Sequence, residues 1–192
     1  MAAMLMGAWS LQSCDNEPTK EVWLDEFGQD SCYVQDWGML EVNRSVVHTP
    51  LTVNGVVYER GLGAHSISRL LYDLDGKAVS ISGLAGADDK NLFAGKLQFK
   101  ILGDKKELWK SGVMQKGDPV KEFNVNLKGV DKVLLLVEEC GDGIMYDHAD
   151  WLNVKITTRG DVKPVPAWAK PVAKEKYILT PPAPESPVIN NP

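Results

Sequence analysis

The chain has 192 residues, of which 44% are hydrophobic and 24% charged, and its formal net charge is −5 with a mean hydropathy of −0.19. This composition is typical of a globular domain and excludes collagen-like and disordered chains. The basic residues form no stripe that could follow a phosphate backbone, so we do not expect nucleic acid as a partner. No apolar run reaches the roughly 20 residues that a membrane-spanning helix needs.

Residues 1–20 are predicted to be a signal segment. The apolar, uncharged stretch Met1–Leu11 runs into Leu11-Gln12-Ser13-Cys14, after which the chain turns polar. This pattern resembles a secretory apolar region followed by the lipobox of bacterial lipoproteins, in which the cysteine is lipidated. The Lys/Arg-rich start of such segments is missing, and the alternative is a frayed apolar terminus. We predict an exported periplasmic or cell-surface lipoprotein, in contact with membrane only through a lipid anchor on Cys14.

Residues 21–159 are predicted to form one β-sandwich domain. Apolar and polar residues alternate with period two in three runs, which indicates half-buried strands. A further run could be buried on both faces, two runs are weaker strands, and one contains the Asn-Gly of a type I′ hairpin. In chain order the runs are the hairpin at 51–58, then 70–74, 79–81, 97–101, 123–127, 132–137 and 151–156. With no helix of three turns, the pattern predicts an all-β fold, an antiparallel, jelly-roll-like β-sandwich.

Residues 160–192 are predicted to be an extended Pro-rich linker. Eight of the eleven prolines lie from Pro164 onward, and this stretch has too few apolar residues for a core of its own. A linker usually leads to another domain, so we expect one end of a larger protein. The alternative is a terminal tail.

Two cysteines remain beside Cys14. In an exported compartment Cys32 and Cys140 could form a disulfide, but isolated cysteines are also common as free, buried residues. The sequence leaves these alternatives open. No CxxC pair or Cys/His cluster has the spacing of a zinc site.

The loop Gly141–Trp151 holds the densest group of chemically versatile side chains. Its three carboxylates, one imidazole and two aromatic rings could supply calcium ligands, hydrogen bonds to sugar hydroxyls and a ring face for a pyranose. In the structural alternative, Asp147 and Asp150 cap turns, Trp151 begins the last strand facing the core, and His148 is a structural histidine.

A second group spans Glu59–Ser66, where Gly61 and Gly63 flank a leucine and are predicted to give the backbone positive φ just before a strand. The segment lacks the rest of a phosphate-binding motif. The chain also has no Gly-x-Ser-x-Gly, and no carboxylate pair stands out from the turn acids. We therefore expect no catalysis from this domain itself.

Three further features could contribute to a site. Asp88 and Asp89 could place two carboxylates beside a loop cation, although an exposed acidic turn is the alternative. Trp37 lies in a loop-like stretch and could be an exposed stacking platform. Trp23 and Trp109 lie in strand-like contexts and are predicted to be core residues.

Several separated motifs, in order, resemble the NPCBM family of carbohydrate-binding modules. They are VWLDE at 22–26, DWG at 36–38, PLTVNGVVYERGLGAHS at 50–66, YDLDG at 72–76, GADD at 86–89, KLQFKILGDKKELWKSGVM at 96–114 and GDGIMYDHADW at 141–151. The resemblance covers about residues 21–158. It implies a β-sandwich carbohydrate-binding module of the kind appended to glycoside hydrolases and associated with galactose-containing glycans, with bound calcium in some members.

The last segment, 177–192, is similar to the linker between such a module and the catalytic barrel of bacterial lipoprotein α-galactosidases. This resemblance implies that a catalytic hydrolase domain in cis carries the activity. The module would then target that hydrolase to glycans. In the alternative, the sandwich is a structural spacer packed on the barrel and binds no glycan.

On this resemblance we expect a ring such as Trp37 to stack on the sugar while polar side chains bond its hydroxyls. The expected sugar contacts are Trp37, Arg60, His65, Asp147, His148 and Asp150. Calcium is expected to fix loops rather than touch the sugar, with Asp88, Asp89 and Asp142 as ligands. No catalytic residue is expected.

Overall fold

The computed structural model describes residues 17–28, 32–92, 95–160 and 165–166. These residues form fourteen strands and one 3₁₀ helix, Leu24–Phe27. No helix among them is long and apolar enough to cross a membrane. The strands are β1 Thr19–Trp23, β2 Cys32–Gln35, β3 Glu41–Val42, β4 Leu51–Val53, β5 Val56–Tyr58, β6 Gly61–His65, β7 Ser68–Asp73, β8 Ala78–Ala87, β9 Leu97–Gly103, β10 Lys106–Met114, β11 Lys121–Asn126, β12 Lys132–Glu139, β13 His148–Arg159 and β14 Val165–Pro166.

Two antiparallel six-stranded sheets make up the sandwich. Sheet I has the order β11–β8–β13–β6–β3, and β1 also pairs with β13, beyond the end of β6. Sheet II has the order β10–β9–β12–β7–β14, and β2 also pairs with β7. A separate hairpin, β4–β5, completes the described strands. The predicted all-β sandwich is confirmed.

The core lies between the two sheets, where the inward residue of each alternating pair is buried. In β9, for example, buried and half-buried residues alternate along the whole strand, as the period-two pattern predicts. Trp151 of sheet I is fully buried and meets Phe99 of sheet II edge to face, with ring centroids 4.8 Å apart. Such ring pairs contribute about 1 kcal/mol beyond the area they bury. The structural interpretation of Trp151 as a core residue is therefore confirmed.

The predicted hairpin at 51–58 is present as β4 and β5. Asn54 and Gly55 both have positive φ, 49° and 78°, as a type I′ turn requires. Their amides donate hydrogen bonds to the Asp89 carboxylate at 3.0 and 2.7 Å. Asp89 thus connects the hairpin to the end of β8.

The predicted positive φ of Gly61 and Gly63, in the group Glu59–Ser66, is wrong. Gly61 and Gly63 lie inside strand β6 and are not among the residues with positive φ. They are needed because other backbone approaches them closely. A Cβ on Gly63 would lie 2.3 Å from the Arg44 carbonyl oxygen, and one on Gly61 would lie 2.5 Å from that of Trp151.

The two tryptophans predicted to be core residues differ in their surroundings. Trp109 is partly buried and packs against the core, with its ring 5.1 Å from that of Phe123. Trp23 is half-buried instead, and the Arg60 guanidinium lies 4.4 Å over its ring. The prediction for Trp23 is therefore wrong, because a cation rather than the core covers its face.

Cys140 forms no disulfide. In the strand register Cys32 lies opposite Leu70, and Leu70 lies opposite Leu135. The α-carbons of Cys32 and Leu135 are thus two strand spacings apart, about 10 Å, and Cys140 lies five residues further on. This separation exceeds the roughly 7 Å that a bridge tolerates.

Cys14 and most of the predicted signal segment fall outside the described residues, so lipidation and export stay predictions. The same holds for most of the predicted linker. Within it, however, Val165 and Pro166 form β14 and pair with Asp73 and Tyr72 of β7.

Candidate functional site

A cavity of about 320 Å³ opens at one end of the sandwich. It lies where the segment after β2 and the loop before β13 meet the end of β6. We call it the aromatic pocket, and its lining residues are Trp37, His65, Ile144, Met145, Tyr146 and His148.

Strand register brings the two imidazoles of the pocket together. His65 ends β6 and His148 begins β13, and the two are direct cross-strand partners. Opposed residues of antiparallel strands project on the same face, so the rings lie side by side with centroids 5.5 Å apart. Trp37 completes a cluster of three rings, 5.0 Å from His65 and 5.7 Å from His148, and it is nearly parallel to His148 at 8°.

The Gln35 side chain holds Trp37 beside β6. Gln35 Nε2 donates to the Trp37 carbonyl at 3.0 Å, and Gln35 Oε1 accepts from the His65 amide at 3.3 Å. The next residue must be a glycine, because Gly38 has φ of 67° and a Cβ there would lie 2.8 Å from a Val46 methyl. Trp37 as a residue stays 48% exposed. Its ring is therefore fixed in place yet open to a ligand.

His65 presents an acceptor nitrogen to its surroundings. Its Nδ1 lies 2.6 Å from the Ser66 carbonyl oxygen, which can only accept, so Nδ1 carries the hydrogen. Burial lowers the pKa of His65 below the usual 6.5, against the raising effects of the Ser66 hydrogen bond and the Asp36 charge. The ring is thus neutral at pH 7, and Nε2 is left with a lone pair.

His148 is positioned through its main chain. Its amide donates to Asn91 Oδ1 at 2.9 Å, and its carbonyl accepts from Asn91 Nδ2 at 3.0 Å. Burial, and then the nearby His65, lower the pKa of the imidazole. Its Nδ1 is buried and has no hydrogen-bond partner among the described residues. The pocket therefore holds two neutral imidazoles and no fixed positive charge.

Asp147 lies beneath the pocket rather than in its wall. Its carboxylate is fully buried and accepts a hydrogen bond from the Ser66 hydroxyl, while the Ser66 amide donates to the Asp147 carbonyl at 3.2 Å. Burial, with smaller contributions from the Asp142 and Glu139 charges, raises the pKa of Asp147 to about 6 against the lowering effect of the Ser66 hydrogen bond. Asp147 fastens the loop before β13 to the end of β6, which is a positioning role instead of the predicted sugar contact.

Asp150 is also buried away from the pocket. Its register partners are Gly63 and Gly86, and the backbone of Arg44 and the side chain of Val53 lie closely over those two glycines. In the described part of the chain, the oxygens of Asp150 meet no N–H or hydroxyl donor, and the nearby carboxyl group of Asp88 interacts with them. Burial, followed by the negative charge of Asp88, raises the pKa of Asp150 well above its usual range. The structure therefore does not bring Asp150 to the pocket as a sugar contact, because its carboxyl group is buried away from the pocket lining.

Arg60 is at the opposite end of β6 from the pocket. It lies five residues before His65, about 16 Å along a strand. Its guanidinium pairs with Asp25 at 2.9 Å and covers the Trp23 ring. The structure thus places this predicted sugar contact away from the pocket. Of the six predicted contacts, the structure brings Trp37, His65 and His148 together in the pocket.

The three predicted metal ligands do not assemble. Asp88 accepts from the Lys90 amide at 2.6 Å, Asp89 accepts from the hairpin amides, and Asp142 accepts from the Lys96 amide at 3.1 Å on a separate loop. Among the residues that the structure describes, no three His, Cys, Asp or Glu side chains are grouped as a metal site.

The apolar wall of the pocket is the part that sequence reasoning did not single out. Ile144, Met145 and Tyr146 supply it, and the Met145 side chain is 73% exposed. The pattern that could have revealed them is an apolar run in the middle of a Gly/Asp-rich loop, where turn chemistry alone does not call for apolar residues.

Known proteins share this fold and part of this sequence. The chain is 29% identical over 130 residues to alpha-1,3-galactosidase B from Akkermansia muciniphila, an alignment that covers 66% of this chain and 16% of that relative. The chain thus spans about a sixth of that curated protein.

Two solved structures from Clostridium perfringens are similar in fold. One is the CBM51 module of a GH95 enzyme in complex with methyl-galactose, with a TM-score of 0.64 at 25% identity, covering 71% of this chain and 99% of that one. The other contains the M60 catalytic domain with the CBM51-1 and CBM51-2 domains of ZmpB, with a TM-score of 0.66 at 28% identity, covering 73% of this chain and 15% of that one.

The family comparison covers most of the described sandwich. The NPCBM/NEW2 domain matches residues 20–157, from the start of β1 into the last third of β13. This range includes every residue of the aromatic pocket. The chain belongs to the NPCBM/NEW2 domain family.

Proposed function

We propose that the chain is a non-catalytic carbohydrate-binding module whose aromatic pocket takes the terminal, galactose-type sugar of a glycan. The observation that carries this proposal is the cluster of Trp37, His65 and His148 at the open end of the sandwich. It is supported by the methyl-galactose bound to the similar CBM51 module. A volume of about 320 Å³ suits one sugar ring, at the lower end of small-molecule sites.

The chemistry of the lining matches the two faces of such a sugar. The exposed indole of Trp37 offers a flat apolar surface to the C–H face of a pyranose. The neutral His65 accepts a hydrogen bond from a hydroxyl through Nε2, because its Nδ1 is already bonded to Ser66. Met145 adds an exposed, adaptable apolar contact. The site is shallow, and we expect a dissociation constant near 10⁻⁴ M, which is about −5.5 kcal/mol.

In the proposed biological role, the module holds an attached glycoside hydrolase near its glycan. The proposal is supported by the relative alpha-1,3-galactosidase B. The segment that aligns with this chain makes up 16% of the length of that protein. An α-galactosidase domain in cis is the partner that we propose. The competing role is a structural spacer, which would not need an exposed Trp37 held by Gln35.

The binding proposal is tested by titration calorimetry with methyl-galactoside and methyl-glucoside. We expect Trp37→Ala to weaken galactoside binding at least about tenfold, because the stacking surface is lost. Arg60→Ala is the matched control, since Arg60 was an equally plausible contact from sequence but pairs with Asp25. It should leave the affinity unchanged.

Two results would contradict the proposal. One is a Trp37→Ala variant that binds as tightly as the parent chain. The other is a folded parent chain that binds no galactoside in calorimetry or on a glycan array, which would favour the spacer.

We also propose that the module binds calcium, with ligands that differ in part from those expected from sequence. The support is the contact between two buried carboxyl groups, Asp150 and Asp88, where the oxygens of Asp150 meet no N–H or hydroxyl donor among the described residues. A buried carboxylate without a partner is costly, and a hard cation with oxygen ligands would relieve that cost. Asp142 is excluded from the proposed ligands because it lies on a separate loop, where it accepts from the Lys96 amide.

Thermal unfolding tests the calcium proposal. We expect calcium chloride to raise the midpoint and EDTA to reverse the rise. Asp150→Asn, a neutral substitution of equal size, should abolish the rise, while Asp142→Asn should retain it. An unchanged midpoint of the parent chain in calcium would contradict the proposal.

A further inference from the structure

A second cavity, of about 410 Å³, lies on the outer face of sheet II. Its floor is a row of leucines across three neighbouring strands, because Leu134 is the register partner of both Leu71 and Leu102. All three are only half-buried, whereas the adjacent Leu70 and Leu135 point into the core. We call this feature the leucine groove.

The rim of the leucine groove is charged. It is formed by Asp104, Lys105 and Lys132. Lys132 Nζ pairs with Asp73 at 2.9 Å, and the Asp104 carboxylate accepts from the amide of Lys132 at 2.9 Å. These charges lie at the edge of an apolar floor, an arrangement that favours an occupant with a large apolar surface.

Strand β14 leads the chain to one end of the leucine row. Val165 pairs with Asp73 and Pro166 with Tyr72, so one further step in register would bring the chain opposite Leu71. The strand cannot extend beyond that point, because Cys32 of β2 already pairs with Leu70. Leu71 is therefore the last position of β7 that is open to pairing on this edge.

We propose that Trp168 docks in the leucine groove. It is the second residue after Pro166, so a turn onto the outer face at Leu71 brings the indole within reach of Leu71 and Leu134. An indole over leucines removes a large apolar area from water, and the rim lysines can interact with its π face.

The docking is intramolecular, and its entropic cost is small for two reasons. Pairing of β14 with β7 already holds the chain next to the groove. Pro164, Pro166 and Pro171 restrict the conformations of the segment around Trp168 before it docks. Docking would fix the direction in which the chain leaves the sandwich, a property beyond the proposed sugar binding.

Leucine methyl NMR of the full chain tests this proposal. We expect methyl resonances of the groove leucines to be displaced upfield by the indole ring current, and Trp168→Ala to remove that displacement. All the buried core residues that the structure describes precede residue 160, so we expect this variant to fold. Tyr177→Ala is the control, because it removes another aromatic ring from the same segment and should leave the resonances in place.

The remaining outcomes overturn the proposal. Groove resonances that are unchanged in Trp168→Ala would show that the indole is not there. Resonances that respond only to Tyr177→Ala would assign the groove to a different part of the segment. A displacement that disappears on dilution would identify a second copy of the chain as the occupant.

Discussion

His148 and Asp150 are two residues apart on β13, so their side chains project on the same face of sheet I. Their surroundings differ because the backbone at Arg44 and the Val53 side chain lie over the strands beside Asp150, whereas the aromatic pocket opens beside His148. The spacing could be predicted from sequence. The burial of Asp150 could not be predicted, because the residues that cover it lie about a hundred residues earlier in the chain. This is why the predicted site combined a carboxylate that is covered with the rings that line the aromatic pocket.

Asp147 makes stability depend on pH in a direction opposite to that of most carboxylates. Its pKa rises from 3.8 to about 6 on folding, so between these values the folded chain keeps a proton that the unfolded chain has lost. The free energy of unfolding therefore falls as pH rises through this window and stays lower above it. Asp147→Asn removes this titration. We therefore expect the free energy of unfolding of the variant, minus that of the parent, to be about 1 to 2 kcal/mol larger at pH 8 than at pH 4.

Urea unfolding at the two pH values measures this difference. Asp118→Asn, which removes a half-buried carboxylate at another turn, controls for the change in net charge. Parallel pH profiles for Asp147→Asn and the parent chain would contradict the assignment.

At the scale of single elements, alternation predicted the strands that have one face in the core, such as β7, β9 and β11. It did not predict β6, because all five residues of that strand are buried and two are glycines. In β13 the phase changes after Leu152, where a register shift occurs and Asn153 has φ of 50°. As a result, Trp151 and Val154 both face the core although they are three residues apart. This spacing breaks the period of two, so the sequence indicated only a weak strand here.

Strand β6 depends on Gly63. A Cβ there would lie 2.3 Å from the Arg44 carbonyl oxygen and 2.6 Å from the Ser45 α-carbon, so the backbone of that segment would have to move. We expect Gly63→Ala to lower the free energy of unfolding by about 2 to 3 kcal/mol. Gly129→Ala is the control, because Gly129 has φ of 80° and open space around it, and its replacement should cost only about 1 kcal/mol.

Chemical denaturation of the two variants provides the comparison. If Gly63→Ala cost no more than Gly129→Ala, the close approach of the 44–45 backbone to β6 would not be the reason for the glycine.

At the scale of the whole molecule, the fold followed from patterns that are local in the sequence. Alternation and turn residues act within ten residues of each other, and together they indicated two packed sheets. The aromatic pocket instead depends on three segments that meet only after folding, around Trp37, His65 and the loop before β13. Residue type identified its three rings, but only the strand register shows that Arg60 lies at the far end of β6.

The length of β13 has a consequence for how the module can be attached to other proteins. The strand carries His148 at its first residue and Arg159 at its last, about 36 Å further along. At that last residue it pairs with Thr19 of β1, and the Gly160 amide donates to the Pro18 carbonyl at 3.0 Å. The polypeptide therefore enters and leaves sheet I side by side, on the rear of the module. A domain joined ahead of β1 would therefore lie at the end of the sandwich opposite the aromatic pocket, whereas a domain joined after β14 would be reached from the edge of sheet II.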